Sequence, residues 1–182
     1  MKRLPQLLVL SAAVASCTFA VAQTPSAAPH ESIAEANAAV FKACAAAPAG
    51  HKACPLGAVF GLFKLAPNND VLDFKASNTV PRVINQNYGW MLKLNRKSGK
   101  VRVLERMTLP ETPKSWGAGG QPYGTSEDRK TISLDVTLTI YNGTVSKSWD
   151  VADGDPAGHY VISAYLEDSA PVQFEFDVVD TR

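Results

Sequence analysis

Three histidines, three closely spaced aspartates and one glycine-rich loop with two aromatic side chains are the residues whose types and spacing could do chemistry. Nucleophilic catalysis needs a base held beside an oriented carboxylate and a nucleophile. His159 and Asp155 supply base and carboxylate, but neighbours on one turn ordinarily make a structural hydrogen bond, and no GxSxG elbow accompanies them. His30 falls in a Pro-containing lead-in and His51 beside two cysteines. A hydrolase with a dispersed site that includes His159 therefore stands as the alternative function, not the first.

Asp150, Asp153 and Asp155 could ligate calcium through loop oxygens, yet they fall at positions 1, 4 and 6, where an EF-type loop needs 1, 3 and 5 and a distal glutamate. A solvated turn whose carboxylates cap backbone N–H groups is the simpler account. The stretch 110–130, "PETPKSWGAGGQPYGTSEDRK", is the longest without strand periodicity, and loops of that length in compact domains are functional or mobile. No GKS or GKT element follows its glycines, which argues against a phosphate cradle. Trp116 and Tyr123 offer flat faces that could stack on a sugar or enter a partner's pocket, unless Trp116 folds back over the open end of the domain. Upstream, "KLNRKSGKVRVLER" carries Arg96, Lys97, Lys100 and Arg102, the solvated face of a hairpin or a patch for an acidic partner. No cofactor and no metal site is expected.

The elements that would position these residues begin after an export signal. Lys2 and Arg3 precede an apolar run to Ala22, and "AVA" before Gln23 fits signal peptidase, so cleavage after Ala22 is expected. "VASC" instead resembles a lipobox with Cys17 as the acylated residue, which would leave a lipid anchor. Loss of Lys2 and Arg3 leaves 16 basic against 17 acidic residues, a balance that excludes an electrostatic footprint for nucleic acid or anionic membrane. No second apolar span follows. In an oxidising compartment Cys44 and Cys54 read as a disulfide; a metal site using His51 is the competing account, without a second pair at zinc-like spacing.

Residues 23–30 read as a flexible lead-in. Within 31–56, Ile33, Val40, Phe41 and Cys44 recur on one helical face ending before Pro48, and the cysteine pair would clip this helix to the main domain. From Gly57 to Arg182 the period becomes two. The clearest run is "TISLDVTLTIY", with Ile132, Leu134, Val136, Leu138 and Ile140 on one face; Asn142-Gly143 then predicts a two-residue hairpin into "TVSKSWDV". "HYVISAYLE" and "PVQFEFDVV" alternate in the same way. About seven short strands without crossover helices predict an all-β fold, an antiparallel sandwich with a short N-terminal helix.

"DPAGHYVI" resembles the E–F corner of immunoglobulin-like domains, and the segment from Trp149 to "FEFDVV" resembles the end of such domains in exported bacterial proteins. The resemblance implies that Asp155 and Gly158 shape the turn and that the Tyr160 hydroxyl bonds back to the corner backbone. Ile162 stands where immunoglobulins carry the inter-sheet cysteine. It implies a fold and no activity. The expected protein is thus periplasmic or secreted, immunoglobulin-like and non-catalytic. It would recognise an envelope protein or carbohydrate through Trp116, Tyr123 and the neighbouring basic hairpin.

Overall fold

The computed structural model describes residues 32–47, 52–116, 124–167 and 169–181. The expected export signal, Cys17, His30, His51 and Tyr123 lie outside the described residues. The chain begins with helix α1 (Ile33–Ala46), started by a capping box: the Ser32 hydroxyl accepts from the Glu35 N–H at 3.3 Å and the Glu35 carboxylate accepts from the Ser32 N–H at 3.0 Å. Ten strands follow among the described residues, β1 (Pro55–Leu65), β2 (Val71–Ala76), β3 (Thr79–Pro81), β4 (Asn87–Leu94), β5 (Gly99–Thr108), β6 (Gly124–Thr125), β7 (Thr131–Ile140), β8 (Thr144–Asp150), β9 (Gly158–Leu166) and β10 (Val172–Val179).

Two sheets face one another, a four-stranded one in the order β2-β1-β4-β8 and a six-stranded one in the order β3-β10-β9-β5-β7-β6. All pairs are antiparallel except β3 with β10, which is parallel. The period-two pattern sends Tyr88, Trp90, Leu92 and Leu94 of the first sheet against Val101, Val103, Ile162, Phe174 and Phe176 of the second, all buried. Phe60 stacks on Phe176 across the interior at 4.3 Å between ring centres.

Several expectations change here. Asn142 and Gly143 do make a tight turn, with a bridge between Tyr141 and Thr144, but β7 and β8 then part into different sheets. The reason is tertiary: Gly143 donates to the Lys97 carbonyl and accepts from the Leu94 N–H, both at 2.8 Å, which hands β8 to β4. For the same reason the basic run 93–106 is not one hairpin, since β4 and β5 belong to opposite sheets. Stretch 110–130 also contains a strand, because Gly124 and Thr125 pair with Ser133 and Ile132.

The helix lies against β1 and β10. Its Asn37 amide imitates a strand residue, donating to the Gln173 carbonyl at 2.7 Å and accepting the Gln173 N–H at 2.8 Å. Cys44 and Cys54 form a disulfide, ten residues apart, that ties α1 to the start of β1. Replacing both by serine is expected to lower the free energy of unfolding by about 2–3 kcal/mol, the loop-closure entropy of so short a ring. Urea denaturation of oxidised wild type and the double variant measures it.

Candidate functional site

Strand β8 ends at a corner that returns the chain to the second sheet as β9. Tyr160, the first inward residue of β9, donates its hydroxyl to the Pro156 carbonyl at 2.7 Å, and Asp155 accepts the Ala152 N–H at 2.8 Å. Gly158 takes φ +131°, and a Cβ there would come within 2.9 Å of Pro110, so the position demands glycine. Burial raises the Asp155 carboxyl above the ordinary aspartate value; the Ala152 N–H opposes the rise and the Asp150 charge adds to it. The Tyr160 hydroxyl is pushed up by burial and by Asp155.

Beside this corner the sheets leave a cleft of about 160 Å³, lined by Trp116, Trp149, Met107 and Leu109, by Tyr88 and Tyr160, and by Asp150 and Asp155. Trp116 is a fixed wall, its indole N–H donating to the Arg129 carbonyl at 3.0 Å and its ring packed against the core. Trp149 is fixed as well. Its indole N–H donates at 2.8 Å to one oxygen of Glu105 on β5, and Trp90 of β4 donates to the other oxygen.

Glu105 is the one charged residue in the described core, 1% exposed. It ties the six-stranded sheet to the four-stranded one through the indoles of Trp90 and Trp149. Burial pushes its carboxyl above the ordinary glutamate value, against the pull of Lys147 and the two indole donors. The Lys147 ammonium sits 4.4 Å from the Trp149 ring centre. Sequence reasoning missed Glu105 although the signal was present: it shares parity with Val101, Val103 and Met107, so an alternating strand must turn it inward.

The other singled-out residues scatter. Arg102 donates to Asp135 at 2.8 Å from Nε, so one member of the basic patch is matched by an acid; Arg96 folds back onto the Lys100 carbonyl, while the Lys97 and Lys100 side chains are exposed. They lie at the Gly99 end of β5, whereas Trp116 follows its Thr108 end, roughly 30 Å away at the rise of a strand. Among the described residues, Trp116 and these basic side chains thus lie apart. His159 contacts Asp177 at 3.1 Å and Glu175 at 3.8 Å on an exposed sheet face rather than in a cleft, and Asp155 is engaged with Ala152. Ser163, the nearest hydroxyl along its face of β9, stands roughly 13 Å on. Among the described residues no three His, Cys, Asp or Glu side chains come together as a metal site. Nor is any described helix long and apolar enough to cross a membrane.

Two facing sheets, a chain that crosses between them at β2–β3, β3–β4, β4–β5, β7–β8 and β8–β9, and a tyrosine bonded back to the turn before its strand define an immunoglobulin-like β-sandwich. The chain belongs to the PM0630 beta sandwich domain family, whose pattern matches residues 58–179. Among solved structures it is similar to an immunoglobulin-like protein (PA1606) from Pseudomonas aeruginosa, at 15% identity over 72% of this chain and 100% of that one, with a TM-score of 0.48. It is also similar to the PmoD soluble domain from Methylocystis sp. (16%, 67% and 90%, TM-score 0.36) and to BslA, a bacterial hydrophobin (13%, 75% and 99%, TM-score 0.37). No curated protein matches it.

Proposed function

We propose that this is an exported, non-catalytic binding module that recognises an envelope carbohydrate or protein through the cleft beside the E–F corner. The observation that carries the reading is the pair of fixed indoles, Trp116 and Trp149, set beside Asp150 and Asp155. Flat walls stack on a sugar ring or an apolar side chain, and carboxylates accept from its hydroxyl or amino groups. The same carboxylates repel acidic ligands, which turns the choice toward neutral or amino-bearing ones. Export is supported by the basic and apolar N-terminal run and by a disulfide, a bond at home in oxidising compartments.

Capture from the native envelope and titration of indole fluorescence with neutral oligosaccharides both test the cleft. Trp116→Ala, alone and with Tyr123→Ala, is expected to weaken binding at least about tenfold, since a stacking aromatic contributes more than about 1.4 kcal/mol. Identical partners and identical titrations for wild type and variants would sink the reading.

A further inference from the structure

Strand β2 is the open edge of the four-stranded sheet. Its residues pair with β1 as Gly61 with Ala76, Leu62 with Lys75, Phe63 with Phe74 and Lys64 with Asp73, and one step further the Ser77 N–H donates to the Phe60 carbonyl at 3.2 Å. Bonded and non-bonded pairs alternate along an antiparallel ladder. Lys75 and Asp73 therefore spend their amides and carbonyls on β1, and those of Phe74 and Ala76 point to the open side. There, among the described residues, the Phe74 N–H is met only by the carboxylate of its own neighbour, Asp73, at 2.9 Å.

Side chains alternate too. Phe74 sits on the outer face with its ring 4.9 Å from Phe63, edge to face; Asp73 and Lys75 sit on the other face, with no ion-pair partner among the described residues. The edge has apolar exposure besides: Leu72 is 62% exposed and Val71 47%. A bulge after Lys64 leaves Leu72 out of the ladder with β1 and ends the regular stretch.

We propose that β2 docks antiparallel on β2 of a second copy of this chain, with Phe74 on the twofold axis, so that two four-stranded sheets become one of eight. Residues directly opposite in a sheet share a face, so a twofold perpendicular to it must set one residue against its own copy. With Asp73 or Lys75 on the axis, like charges would meet. With Phe74 there, Asp73 faces Lys75 of the second copy twice over. The Phe74 pair exchanges two backbone hydrogen bonds, and the rings extend the Phe63 row. Pairing replaces the Asp73 cap on the Phe74 N–H by a carbonyl and frees that carboxylate for its ion pair. The seam is short, about five residues a side, which places the dissociation constant on the order of 100 μM.

Sedimentation velocity of the oxidised chain without its export signal, from about 5 μM to about 1 mM around that constant, should show a monomer passing to a dimer. Asp73→Lys and Lys75→Asp, each exposed and each expected to keep the far-UV spectrum, should weaken the dimer at least tenfold. The two single variants mixed, and the chain carrying both exchanges, should dimerise like wild type, because each restores Asp against Lys in this register. Wild type monomeric throughout, single reversals without effect, or mixed variants that fail to associate would each overturn the proposal.

Discussion

Glu105→Ala is expected to lower the free energy of unfolding by about 3–5 kcal/mol. The substitution strands the indole N–H groups of Trp90 and Trp149 in the interior, and a buried donor without an acceptor costs about 1–3 kcal/mol. It also opens a cavity and leaves the Lys147 ammonium without the charge it faces. Glu105→Gln separates these effects. Its amide keeps the shape and one acceptor but turns a second donor toward an indole, so about 1–3 kcal/mol should still be lost.

The glutamine variant also carries a pH signature. Because the folded-state pKa of Glu105 lies above its unfolded value, the native state holds the extra proton between the two, and wild-type stability falls as pH rises through the folded pKa. The contribution is fully present below the unfolded value of about 4.3. Glu105→Gln has no such proton, so its deficit relative to wild type should be larger at pH 5 than at pH 8. Asp135, Asp128 and Glu35, whose carboxyls are held below their usual range, act in the opposite sense but are common to both proteins. Denaturation midpoints at the two pH values decide it; a deficit that does not grow toward acid contradicts the account.

Gly89→Ala comes next, with an expected loss of about 3 kcal/mol or failure to fold. Gly89 sits in the middle of β4, between Gly61 of β1 and Ser148 of β8. A Cβ there would lie 2.1 Å from the Lys147 carbonyl oxygen and 2.9 Å from the Ser148 Cα. Both obstacles are backbone, so only a shift of the β4–β8 ladder relieves them, and that shift draws Trp149 away from Glu105. Gly57→Ala, where nothing lies within 4 Å, serves as the control and should be near neutral. Unfolding free energies and the near-UV signal of the buried indoles measure both; equal stability of the two variants contradicts the packing argument.

The alternation that sends Trp90, Val103, Ile162 and Phe176 inward was legible in the sequence because side-chain direction is a local property of a strand. The sandwich followed from that alternation, and the immunoglobulin-like class from the resemblance of the corner around Tyr160. Partner choice was not legible. Asn142-Gly143 dictates a tight turn wherever it occurs, but whether the flanking strands then pair depends on Leu94 and Lys97, some 50 residues earlier in the chain. The parallel β3 and the Asn37 contact to Gln173 are likewise bonds between distant segments. Of the candidate site, Trp116 was visible as an aromatic in a loop. Its partner Trp149 was assigned only to a strand, and Glu105 was hidden in a run that reads as basic.

The Asn37 contact also bears on how the chain survives before oxidation. Side-chain amide and backbone are matched there as two strands would be, so α1 occupies a place on β10 that another polypeptide could take. What keeps the helix seated is in part the bond from Cys44 to Cys54. In a reducing environment the chain should therefore lose solubility before it loses its fold, since the sulfur bridge guards an adhesive border more than it guards the hydrophobic interior.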